Sequence, residues 1–101
     1  MLNLYNNLPS IDLHGLDRDY ARILINEFVS DNYKMKKDKI IIVHGNGTGI
    51  LKKTTQETLR INKLVEEYKI DNFNTGMTVV TLRKHWHLKV VVLEYAIRVT
   101  R

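Results

Sequence analysis

Apolar and polar positions change their period several times along the chain, and each change marks an element. Ile11 and Leu13 alternate with Asp12 and His14, the two-residue period of a strand over residues 10–14, and Gly15 ends it. Ala21, Leu24, Ile25 and Phe28 then fall at i, i+3, i+4 and i+7, one face of a helix. Asp17 is placed to cap that helix, which runs to about Tyr33. Residues 40–43 form an unbroken β-branched run, the pattern of a strand buried on both faces. A second helix is predicted over residues 50–61, with a less apolar inner face of Leu51, Thr55, Thr58 and Leu59. Residues 63–69 and 77–84 predict two further strands around a turn-rich segment at 71–76. Residues 88–101 alternate again, with Val91, Leu93, Tyr95, Ile97 and Val99 on one face, which predicts a last strand. Leu88, Val92, Tyr95 and Val99 also align at helical spacing.

The resulting order is β-α-β-α-β-β with a tail. Strand–helix–strand units build a sheet with a parallel part and helical crossovers, an α/β (α+β) arrangement. Residues 1–9 are a polar lead-in ending at Pro9, residues 10–84 the domain, and residues 85–101 a C-terminal extension. A polar lead-in of nine residues before the first strand is expected of a stand-alone domain.

Composition narrows the partners more than the fold. The 101 residues suffice for one self-supporting domain. Their 44% hydrophobic and 27% charged content is that of a globular chain, not a disordered one. No apolar run reaches about 18 residues, so no membrane association is expected. The N-terminus lacks the basic start and apolar core of a secretory signal, so a cytoplasmic protein is expected. The absence of cysteine excludes disulfides, thiolate metal sites and cysteine nucleophiles. Sixteen Lys and Arg against 11 Asp and Glu give a net charge of +5, which favours a polyanionic partner, nucleic acid above all.

Candidate chemistry gathers at one edge. His14 ends the first strand and His44 follows the second. Parallel strands place both at their shared carboxyl edge, where sheets of this kind bind ligands. A two-residue spacing lets the Asp12 carboxylate hold an imidazole or share its proton, and histidine suits acid–base work near neutral pH. The loop His44-Gly45-Asn46-Gly47-Thr48-Gly49 runs into a helix, so its amides and the helix N-terminus can cradle a phosphate. Lys52 and Lys53 lie in the first turn of that helix, where cations oppose the dipole unless an anion is bound. The loop is no Walker A sequence, since Ile50 stands where the second glycine belongs, and no dinucleotide fingerprint, since its third glycine is at 49 and not 50. Metal ligation by Asp12, His14 and His44 matches no zinc spacing.

Ile11-Asp12-Leu13-His14-Gly15 followed by His44-Gly45-Asn46-Gly47-Thr48-Gly49 resembles the paired signatures of the Smr (small MutS-related) domain, which are specific together and weak apart. The resemblance covers residues 10–84, and the segment Thr75-Gly76-Met77-Thr78 is similar to a third, more glycine-rich segment of the family. It implies a two-layer sandwich like the C-terminal domain of bacterial translation initiation factor three. It also implies a nucleic-acid-binding endonuclease that cleaves RNA or nicks DNA, with the ribosome among the expected partners. The family's catalytic pair falls on Asp12 and His14, and its histidine–glycine loop on His44, Gly45, Gly47 and Gly49.

Two functions of different class follow. In a phosphodiesterase, His14 steadied by Asp12 is the general base or acid, and His44 is the second proton-transfer partner or a phosphate contact. Gly45, Gly47, Thr48 and Gly49, with Lys52 or Lys53, hold the phosphate. RNA could be cleaved through its 2′-OH with no cofactor, whereas DNA would favour a magnesium ion. In a non-catalytic module the same loop binds nucleic acid or a ribosomal surface. The chain is expected to be a monomer, or a dimer paired through the edge of its tail.

Overall fold

The computed structural model describes residues 7–84. The expected tail strand and the dimer contact proposed through it lie outside the described residues. Six elements follow in the anticipated order: β1 (Ser10–Asp12), α1 (Arg18–Lys34), β2 (Lys39–Val43), α2 (Ile50–Arg60), β3 (Val65–Ile70) and β4 (Met77–Leu82). The sheet order is β1-β2-β4-β3. β1 and β2 are parallel, and β4 is antiparallel to both β2 and β3. The two helices and this mixed sheet make the expected α/β sandwich.

β1 is shorter than the alternation suggested. Leu13 still donates to the Val43 carbonyl at 2.8 Å. The Asp12 carboxylate, however, takes the His14 amide at 2.9 Å, and Gly15 turns the chain at φ 77°. α1 starts where Asp17 caps it, accepting from the amides of Asp19 and Tyr20. Its Ala21, Ile25 and Val29 are buried against Ile40 and Ile42 of β2, Val80 and Leu82 of β4, and Leu59 of α2.

α2 buries Thr54, Thr55, Thr58 and Leu59, while Leu51 is half-buried, so the face is rotated from the expected one. Buried threonines are tolerated because Thr55 and Thr58 donate to the carbonyls of Leu51 and Thr54, each at 2.7 Å. β3 begins at Val65 and not at 63. Asn62 first forms a turn, with its side-chain oxygen accepting from the Leu64 amide and its carbonyl from the Val65 amide. No helix among the described residues is long and apolar enough to cross a membrane.

Core packing on α1 yields a stability test. Ile25 is fully buried, so Ile25→Ala is expected to cost about 2–5 kcal/mol in urea unfolding. Ile61→Ala, at a side chain 76% exposed, should change stability by less than about 0.5 kcal/mol.

Candidate functional site

A cleft of about 550 Å³ opens at the carboxyl ends of β1 and β2. One wall is the β1–α1 turn, with His14, Gly15, Leu16, Asp17 and Arg18. The other is the β2–α2 loop from His44 to Gly49, continuing into Ile50 and Leu51. The parallel pairing of β1 and β2 is what brings these two turns together, since Asp12 lies opposite Val43 in the register.

His14 and His44 share the cleft but differ in every physical respect. His14 is exposed, and no described residue holds its ring. His44 is only 4% exposed. Its Nδ1 lies 2.9 Å from the Gly45 carbonyl oxygen and its Nε2 2.8 Å from Thr78 Oγ1. A carbonyl oxygen only accepts, so Nδ1 carries the proton, and in the neutral ring Nε2 accepts from the Thr78 hydroxyl. Burial pushes the His44 pKa below the ordinary imidazole value of 6.5. The bond to the Gly45 carbonyl opposes that shift, and the Lys52 ammonium adds to it. The ring is therefore a fixed, neutral strut. The Asp12 carboxylate also turns to backbone: it holds the His14 amide, not an imidazole, and Asp12 does not line the cleft.

The loop after His44 is anchored at its first residues and open beyond them. The Gly76 carbonyl accepts from both the His44 amide at 2.9 Å and the Gly45 amide at 2.8 Å. Gly45 turns the chain at φ 77°, a conformation that side chains resist. Among the described residues, none accepts from the amides of Asn46, Gly47, Thr48 or Gly49. Gly49 has no side chain to cap α2, and the Ile50 amide donates instead to Thr48 Oγ1 at 3.4 Å. These four amides beside the start of α2 make a concavity lined with hydrogen-bond donors, chemistry that suits an anion. The cradle is thus one residue shorter than the expected span of 45–49, because Gly45 spends its amide on Gly76.

The two lysines diverge. Lys52 reaches back to Asn46 Oδ1 at 2.9 Å, an oxygen that also accepts from Thr75 Oγ1 at 3.1 Å. Lys53 lines a separate groove between α1 and α2. Asn46, Thr75, Gly76, Thr78 and Arg18 were not singled out as site residues from the sequence. Asn46 stood inside the glycine loop as its only amide side chain, whereas Thr75–Thr78 carried only the third-segment resemblance. Phe73, on the loop that braces the cleft, is 96% exposed. Among the described residues there is no cluster of three or more His, Cys, Asp or Glu suited to holding a metal.

Comparisons with known proteins agree with this fold. The Smr domain family profile matches residues 11–83. Endonuclease MutS2 of Clostridium perfringens is 34% identical over 85 residues, 81% of this chain and 11% of that protein. Endonuclease MutS2 of Clostridium acetobutylicum is 35% identical over the same length, with the same coverage. The chain therefore spans about 11% of the length of these relatives. The crystal structure of the Smr domain of Thermus thermophilus MutS2 is similar with a TM-score of 0.73 at 29% identity, over 75% of this chain and 99% of that one. YdaL, a stand-alone small MutS-related protein from Escherichia coli, shares the fold with a TM-score of 0.70 at 20% identity, over 74% of this chain and 64% of its own.

The His44 strut has a pH signature. Its folded-state pKa is lowered, so as pH falls the unfolded chain binds the proton first. The stability tied to a neutral His44 is complete above about 6.5 and is lost as pH falls from there towards the folded value. Urea unfolding across this range should show that slope, and His44→Asn should remove it. Thr78→Val leaves Nε2 buried without a donor and is expected to cost about 1–3 kcal/mol.

Proposed function

The chain belongs to the Smr domain family, and from that membership we propose that it is an endonuclease cleaving phosphodiester bonds of RNA or DNA in the cleft between the β1 and β2 ends. The observation that carries the reading is the pairing, in one cleft, of an exposed imidazole at His14 with the open amides of Asn46–Gly49. The amides hold the non-bridging oxygens of the scissile phosphate and stabilise the charge added in the transition state. His14 takes the proton of the attacking oxygen as the new P–O bond forms, and Asp12 fixes the backbone that carries it. The P–O bond to the departing nucleoside breaks, and its oxygen takes a proton from the protonated His14 or from water. On RNA the attacking group is the neighbouring 2′-OH. On DNA it is water, and magnesium would supply Lewis-acid help, with Asp17 the carboxylate residue that lines the cleft. His44 contributes by holding the loop and does not exchange protons. Phe73 offers a ring on which an unpaired base can stack.

One observation favours a second reading, a nucleic-acid-binding module without cleavage. Both nitrogens of His44 are engaged within the fold, which leaves His14 as the only histidine free for proton transfer among the described residues.

End-labelled single-stranded RNA and branched DNA, incubated with magnesium and with EDTA, separate these readings. For the endonuclease, His14→Ala should lower cleavage by about 10²–10⁴-fold while leaving affinity nearly unchanged. Asp12→Ala should lower it too, through displacement of His14. Cleavage unchanged in both variants removes these roles. Salt-sensitive binding with no product from the wild type makes the binding module the function.

A further inference from the structure

We propose that the groove between the first turns of α1 and α2 is a second phosphate subsite, which holds the nucleic-acid backbone beside the phosphate in the cleft. This rests on the endonuclease or binding reading above and extends it to residues outside the loop signatures. The groove has a volume of about 230 Å³ and is lined by Arg18, Arg22, Ile50, Lys53, Thr54 and Glu57. Arg18 and Ile50 also line the cleft, so the groove adjoins it, with these two side chains between the cavities.

Three of the six lining side chains are cations, and their placement works against the isolated fold. Arg18 and Arg22 stand four residues apart on one face of α1, a like-charge spacing that destabilises a helix. Arg18 and Lys53 lie near the positive ends of their helix dipoles. Two carboxylates offset them incompletely. Asp19 Oδ1 is shared by Arg18 at 3.9 Å and Arg22 at 3.4 Å, and these pairs are exposed to solvent. Glu57 lies in the groove, yet Lys53 has no ion pair among the described residues. A phosphodiester relieves this repulsion, and the forked guanidinium of Arg22 matches its oxygens. Adjacency to the cleft selects a polymer over a single anion, since one chain can place successive phosphates in neighbouring cavities. Ile50, 54% exposed where the cavities meet, gives the intervening sugar an apolar floor.

The test measures binding of fluorescein-labelled oligouridylates and oligothymidylates, two to eight nucleotides long, over a salt series. Wild type is compared with Arg22→Gln, Lys53→Gln, the double variant, and Lys39→Gln as a charge control at the opposite edge of the sheet. All three substituted side chains are exposed, so folding should be retained. In the double variant the affinity for the octamer is expected to fall about tenfold, and the log–log salt slope by about 1.4, or 0.7 per lost contact. Dinucleotide affinity and the Lys39→Gln slope should match wild type. A double variant that keeps the wild-type slope and length dependence overturns the subsite and leaves the proposed function standing. Equal losses for dinucleotide and octamer overturn it as well, because the groove would then belong to the first phosphate position. A wild type that binds no oligonucleotide overturns both.

Discussion

The arrangement of the site depends on one carbonyl. Gly76 O accepts the amides of both His44 and Gly45, and so ties the exit of β2 to the entry of β4. Glycine eases the close approach, because a Cβ at position 76 would lie 3.3 Å from Gly45 Cα and 3.2 Å from Asn74 Oδ1, tighter than most Cβ contacts. The His44 ring reinforces the tie by reaching Thr78, two residues further along β4. With both ends of this contact fixed, the chain beyond Gly45 is free to turn outward, and four amides remain without partners in the fold. Sheet pairing thus leaves a row of open amide donors at its edge, the cradle of the proposed function.

Within the cleft, the two histidines divide the work that their positions allow. His44 is neutral, buried and bonded through both nitrogens, which suits it to holding geometry and unsuits it to moving protons. His14 is carried on a turn whose backbone is fixed by Asp12 while its ring meets solvent. In the proposed reaction this gives a mobile proton acceptor facing a rigid set of donors, the combination that electrostatic preorganisation requires. Lys52 and Thr75 both donate to the Asn46 side chain, so a cation and the β3–β4 loop support the cradle without lining the cleft.

Much of this was legible along the chain. Period changes located both helices and the strands, and strand order alone placed His14 and His44 at one edge. The burial of His44 was not legible, because its partner Thr78 lies 34 residues away and meets it only through the insertion of β4 between β2 and β3. Linear order does not disclose that insertion. The bond that Asp12 makes was not legible for a local reason: a carboxylate two residues before an amide can close a turn on it, and that bond competes with any imidazole. Lys52 and Lys53 looked equivalent as neighbours, yet one residue of helix rotates a side chain by about 100°, which sends one to Asn46 and the other to the groove. The inner face of α2 includes Thr54 where Leu51 was expected, and Thr55 and Thr58 are buried there because their hydroxyls bond within the helix.

The central claim is that the open amides of the β2–α2 loop receive a phosphodiester. Amide-resolved NMR during titration with a short single-stranded oligonucleotide tests it most directly. The largest shifts should fall on Asn46, Gly47, Thr48 and Gly49, with His14 moving alongside and Gly45 moving less because its amide is already bonded to Gly76. Saturable binding that shifts residues elsewhere and leaves those four amides unmoved would contradict the account.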